Sequence, residues 1–128
     1  YDNSGLLVGN PDSSVNAALL TLDVTEAVID EAVEKGCNVI IAHHPIIFSG
    51  LKKLNGKNYV ERTVIKAIKN DVAIYASHTN LDNVFGGVNF KIAEKLKLKN
   101  TSTLTAKKET LNKLTFFVPV NDTDKVLN

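Results

Sequence analysis

Three histidines and one aspartate are the residues of this chain best suited to chemistry: His43 and His44 are adjacent, and His78 precedes Asp82 by four positions. Imidazole and carboxylate donors without thiolate favour zinc, iron, manganese or nickel over soft-metal and iron–sulfur chemistry. Neighbouring residues in extended backbone point to opposite sides. His43 and His44 would therefore chelate one ion poorly but could address two ions side by side. Two such ions about 3.5–4 Å apart activate a bridging water and hold substrate beside it, the arrangement of two-metal hydrolases. Three or four donors are few for a dinuclear centre. Either further donors lie outside this sequence or the site is mononuclear. Asp82 can bind an ion, orient an imidazole from behind, or serve only as a turn or helix cap. A histidine near a strand end can also be a hydrogen-bonded structural residue, and that alternative stays open for all three.

Other chemistries find no support. No G-x-G-x-x-G follows a strand, and there is no Walker sequence and no Gly-x-Ser-x-Gly elbow. The single cysteine, Cys37, cannot form an internal disulfide and reads as a small hydrophobe entering a buried strand. Fifteen Lys and Arg against fourteen Asp and Glu leave a net charge of +1, too weak a field to collect nucleic acid or an anionic membrane. No apolar stretch approaches the roughly 20 residues needed to cross a bilayer, and the start is unlike a signal peptide. With one thiol and no such segment, the expected compartment is the cytoplasm. At 128 residues, 44% hydrophobic and 23% charged, the chain should fold around one core. It contains no Met, even at position 1, and it stops inside an element. Both features predict a fragment.

The elements that must position these side chains alternate between short apolar runs and helical patterns, the arithmetic of βαβ units and a mainly parallel sheet. A strand is predicted over 18–23, followed by a helix in which Val28 pairs with Ala32 and Ile29 with Val33. Thr25 or Asp23 is available as its cap, and Lys35-Gly36 marks its stop. Asn38 to Ala42 is apolar at nearly every position, which suits a central strand covered on both faces. That strand runs straight into His43-His44-Pro45, where the proline keeps His44 out of helical geometry. Val60, Val64, Ala67 and Ile68 then fall on one helical stripe, and Val72 to Ala76 reads as another buried strand. It delivers His78 and Asp82. A third helix is expected through Ile92, Ala93 and Leu96. In open parallel sheets ligands gather outside the carboxyl ends of the strands, where all three histidines would lie. Beyond Leu98 the sequence turns rich in Thr, Lys and Asn, then offers an isolated strand at 114–118 and a helix start near Thr123.

Four segments in order carry a resemblance: Asp2-Asn3-Ser4-Gly5-Leu6-Leu7-Val8-Gly9, Leu22-Asp23-Val24-Thr25, Ile41-Ala42-His43-His44-Pro45-Ile46-Ile47-Phe48 and Ser77-His78-Thr79-Asn80-Leu81-Asp82. Over roughly residues 1 to 100 the chain resembles the NIF-three-like family, whose members commonly carry the name GTP cyclohydrolase 1 type 2 or dinuclear metal centre protein. The resemblance implies two divalent metal ions, zinc, iron or manganese. It makes His43 and His44 ligands of one ion each, adds Asp82 as a metal ligand, and places His78 close by as a proton relay. A further His and Glu of the family site match nothing here, so the remaining ligands are expected outside this sequence. The implied division is an N-terminal part of the metal-binding α/β domain over 1–106, a linker over 107–113, and the start of an inserted domain of PII/CutA type over 114–128. Tyr1 stands where the family usually has Trp.

The function implied is metal-dependent hydrolysis of a small molecule such as a nucleotide, in which metal-activated water opens the imidazole ring at guanine C8. The alternative is a metal-binding regulatory or scaffold protein acting through partner proteins without catalysis. Family members tend to form ring-like homo-oligomers, a homohexamer by resemblance, which suits both. Neither a membrane nor nucleic acid is expected as a partner.

Overall fold

The computed structural model describes residues 2–105, 114–115 and 117–127. The chain divides at Leu98/Lys99 into two compact units. The first holds a four-stranded sheet in the order β1-β4-β3-β2, with β1 at Gly5–Val8, β2 at Ala18–Thr21, β3 at Val39–Ala42 and β4 at Ala73–Ala76. β2, β3 and β4 run parallel, joined by helix α1 (Glu26–Glu34) and helix α2 (Tyr59–Lys69). β1 pairs antiparallel with β4, with an irregular register between Leu6 and Val8. The sheet is therefore mixed. Its antiparallel edge has no clear alternating pattern in Gly-Leu-Leu-Val, and the reading of apolar runs alone does not find it.

The helices start where side chains can satisfy free backbone N–H groups. Thr25, in extended backbone, accepts a bond from the Val28 N–H at 3.3 Å and caps α1. Asp23 does not cap it. Asn58 caps α2 by accepting from the Glu61 N–H at 2.9 Å. Glu61 in turn accepts from the backbone N–H of Lys57 at 3.0 Å and of Asn55 at 3.2 Å, fastening the loop before the helix to its first turn. Those N–H groups, Lys57 first, hold the Glu61 carboxyl below its ordinary range against the opposing effect of burial.

The core lies between α1, α2 and one face of the sheet. Ile29, Ala32, Ile40, Ala67 and Ile74 are fully buried there. Gly9, just past β1, has φ +118°, and a Cβ on it would sit 2.7 Å from the Ala73 Cβ. Only glycine lets the chain leave β1 so close to β4.

The expectation that β3 and β4 are covered on both faces is corrected. Burial alternates along β3, with Ile40 and Ala42 buried and Val39 and Ile41 half-buried. The described residues supply helices to one face only. Across the other, Leu6, Tyr75, Ile41 and Leu20 form a registered apolar row. Leu20 in that row is 74% exposed. Ile68 is likewise exposed rather than part of the buried stripe of α2, which runs through Val64 and Ala67 and includes Thr63. Its hydroxyl is fully buried without a hydrogen-bond partner among the described residues.

After β4 come a four-residue helix α3 (Thr79–Asp82), which the sequence reading missed, and α4 (Val88–Lys95). No residue of α4 is buried, only Gly87 at its N-cap, so the helix expected through Ile92 and Leu96 forms but contributes little core. In the second unit, a 3₁₀ turn (Val120–Asp122) leads into α5 (Thr123–Leu127), where a helix start was expected. Leu114, Thr115, Phe117 and Val118 form no strand among the described residues. A strand without a partner has nowhere to place its ladder hydrogen bonds. The linker expected over 107–113 lies outside the described residues.

Candidate metal centre

The carboxyl ends of β3 and β4 bring the three histidines together. One ring nitrogen from each of His43, His44 and His78 lies within 4.8 Å of the other two. Ring centroids are 5.0 Å apart for His43–His44, 5.2 Å for His43–His78 and 5.9 Å for His44–His78. The adjacent pair does not splay to opposite sides as an extended backbone would require. The chain bends at His43 and His44, and the bend turns both rings toward His78.

Backbone bonds anchor this bend to the neighbouring strands. The His43 N–H donates to the Thr21 carbonyl at 3.1 Å, the His44 N–H to the Leu22 carbonyl at 2.9 Å, and the Ser77 N–H to the Ala42 carbonyl at 2.8 Å. The parallel ladder thus continues one or two residues past the strands, giving the rim the rigidity of the sheet.

Every Nδ1 of the trio is tied to an oxygen. His43 Nδ1 lies 3.0 Å from the Ser77 carbonyl, His44 Nδ1 2.8 Å from Asp23 Oδ1, and His78 Nδ1 2.8 Å from Asp2 Oδ2. A carbonyl or ionised carboxylate only accepts, so each neutral ring donates from Nδ1–H and keeps its Nε2 lone pair. Asp2 also accepts from the Thr79 hydroxyl at 2.7 Å and the Thr79 N–H at 3.1 Å. The Thr79 hydroxyl foremost, then its N–H, the His78 ring and Ser4, hold the Asp2 carboxyl far below the usual range against desolvation. Asp2 therefore caps α3 by accepting from the Thr79 N–H across 77 residues of sequence, where His78 at the N-cap makes no side-chain cap bond of its own. Asn3 Nδ2 meanwhile donates to the Ile47 carbonyl at 2.7 Å. The Asp2-Asn3 pair thus holds the loop after β4 with one residue and the loop after β3 with the other.

Asp82 stands outside the close trio. Its N–H reaches back to the His78 carbonyl at 3.4 Å, which puts it one helical turn beyond that histidine, and it is half-buried. Asp2 and Asp23, the partners of two of these imidazoles, were not among the residues expected at the site. Asp23 carried a signal, since it ends the β2 segment at the same rim; Asp2 carried none, because nothing in its spacing shows that β1 lies beside β4.

Beside His44, a cleft of about 800 Å³ is bordered by Asp23, Thr25, Phe48, Asn58 and Tyr59. Phe48 is 69% exposed and Tyr59 57% exposed. A larger hollow of about 870 Å³ lies on the apolar sheet face among Leu6, Ile41 and Tyr75, with none of the three histidines in its lining.

A mixed α/β sheet with three convergent imidazoles on its carboxyl rim defines the class as an α/β protein with a candidate metal site. Within that class the chain belongs to the Duf34/NIF3 (NGG1p interacting factor 3) family, whose model matches residues 1–125. It is 47% identical over 126 residues to the GTP cyclohydrolase 1 type 2 homolog of Halalkalibacterium halodurans, covering 98% of this chain and 34% of that protein. To the homolog of the same name from Bacillus subtilis it is 44% identical over 119 residues, covering 92% of this chain and 32% of that one. The chain therefore spans about a third of the length of these curated relatives. Among solved structures it resembles a Bacillus cereus protein related to NIF3, with a TM-score of 0.77 and 49% identity over 83% of this chain and 29% of that one. It also resembles reduced HcgD from Methanocaldococcus jannaschii, with a TM-score of 0.71 and 31% identity over 81% of this chain and 42% of that one. Among the described residues no helix is long and apolar enough to cross a membrane.

Proposed function

We propose that this chain carries part of a divalent-metal site belonging to a metal-dependent hydrolase of the GTP cyclohydrolase 1 type 2 kind. The observation that carries the reading is the trio of histidines, each with Nδ1 engaged by an oxygen and Nε2 left as the donor nitrogen. The donor set fits: neutral imidazoles backed by carboxylates or carbonyls are the usual protein ligands of zinc, iron and manganese. A divalent cation held there supplies Lewis acidity, which makes water a nucleophile near neutral pH.

His43 and His44 would each hold one cation through Nε2. Asp82 would contribute oxygen to one of them from the turn beyond His78, and the remaining ligands would come from outside this sequence. His78 offers Nε2 to the same place, either as a third ligand or as the group that takes up the proton of the attacking water, with Asp2 steadying the imidazolium that forms. The metal content of His78→Ala separates these roles: a fall marks a ligand, while full metal content with lost turnover marks the proton acceptor. The cleft beside His44 gives the substrate its place. Phe48 and Tyr59 offer exposed rings for a planar heterocycle, and Asp23 and Asn58 offer polar groups to its edge. A nucleotide substrate, a cytoplasmic location and a homo-oligomeric assembly belong to the same proposal.

The test uses protein loaded with zinc, manganese or iron and supplied with GTP and a panel of phosphoesters. Turnover of one of them, lost in His43→Ala and His44→Ala together with metal, is the expected result. Each alanine variant should lose more than the about 10–100-fold in metal affinity that removing an orienting partner costs, while the fold stays intact. Unchanged metal content in both variants refutes the site. Bound metal with no turnover of any substrate favours the non-catalytic regulatory or scaffold alternative.

A further inference from the structure

We infer that Asp2 and Asp23 are positioning residues of the trio: each holds one imidazole, His78 and His44 respectively, as its Nδ1–H tautomer and so aims Nε2 at the shared centre. The inference rests on the metal reading for its purpose but not for its geometry. Both carboxylates come from elements that carry no histidine. Asp2 precedes β1 and reaches His78 across 76 residues of sequence, while Asp23 follows β2 and reaches His44 across 21.

The two contacts differ in what they add to stability. The His44–Asp23 pair is open to solvent, with the side chains 48% and 63% exposed, and such pairs add little to folding. The His78–Asp2 pair is more enclosed, at 18% and 19% exposed, and Asp2 spends the same oxygen on Thr79. That shared oxygen fixes the ring and the start of α3 as one unit. In water a neutral histidine side chain favours the Nε2–H form, which would turn a proton rather than a lone pair toward a cation. The two aspartates reverse that preference, and the Ser77 carbonyl does the same for His43.

The test reads tautomers directly, in metal-free protein at a pH where the imidazoles are neutral, from two-bond proton–nitrogen correlations of ¹⁵N-labelled histidine. The unmodified chain should show Nδ1–H at all three rings. Asp23→Ala should return His44 to Nε2–H and weaken zinc binding about 10–100-fold. Asp2→Ala should return His78 to Nε2–H. Asp23→Asn and Asp2→Asn each keep an acceptor oxygen, so both should preserve Nδ1–H and recover most of what alanine loses. Persistence of Nδ1–H in the alanine variants, or asparagine variants as defective as alanine, overturns the inference. Absence of zinc binding in the unmodified chain overturns the metal reading alone; reversion of the tautomers in the alanine variants then still establishes the positioning.

Discussion

The buried face of the sheet and the histidine rim are built from consecutive residues of the same two strands, yet they are held by different forces. Ile40 and Ala42 sink into the core, and His43 follows at once; Ile74 and Ala76 do the same two residues before His78. In the core many apolar side chains share one task, and the loss of one is felt as a cavity by all its neighbours. At the rim each imbalance is local and directional, because a single oxygen decides which nitrogen of a ring carries the proton. Stability and site geometry are thus separable in this fold, although a step of one or two residues divides them.

The separation can be broken first at its strongest point. Ile40→Ala, which empties a fully buried position in β3, should lower unfolding stability by about 2–5 kcal/mol. Measured by denaturant titration, that loss should leave zinc affinity unchanged where the variant is still folded. A folded Ile40→Ala protein that loses zinc as badly as Asp23→Ala would show core and rim to be one unit. A smaller effect of opposite sign sharpens the same contrast. Thr63→Val replaces a buried, unpartnered hydroxyl by a methyl of nearly the same shape and should raise stability by about 1 kcal/mol, again without touching metal affinity. The smallest change belongs to the open face of the sheet: Leu20→Thr should alter the denaturation midpoint by no more than about 0.5 kcal/mol in equivalent stability. A larger loss there would mean that the row through Leu6, Tyr75, Ile41 and Leu20 is covered in solution.

Local pattern carried much of the fold. The helix capped at Thr25 or Asp23, the strands ending at Ala42 and Ala76, and a helix start near Thr123 all follow from capping and periodicity, and the structure settles the cap on Thr25. The all-apolar run through Val39 and Ile41 misled, because such a run states that both faces are apolar and not that both are covered. β1 and α3 were invisible for a related reason. Neither shows a clear periodic pattern of its own, and each is defined by a partner far away: Ala76 and Tyr75 for β1, Asp2 for α3.

The site divides along the same line. Residue type and order alone determined that His43, His44 and His78 would stand on one rim with Asp82 nearby, because parallel strands joined by helices leave their carboxyl ends together. Which nitrogen each ring offers, how close the rings come, and which carboxylates stand behind them were decided only by the tertiary structure. The bend after β3 and the reach of Asp2 depend on strands paired across many tens of residues. No local window of sequence contains both ends of such a contact.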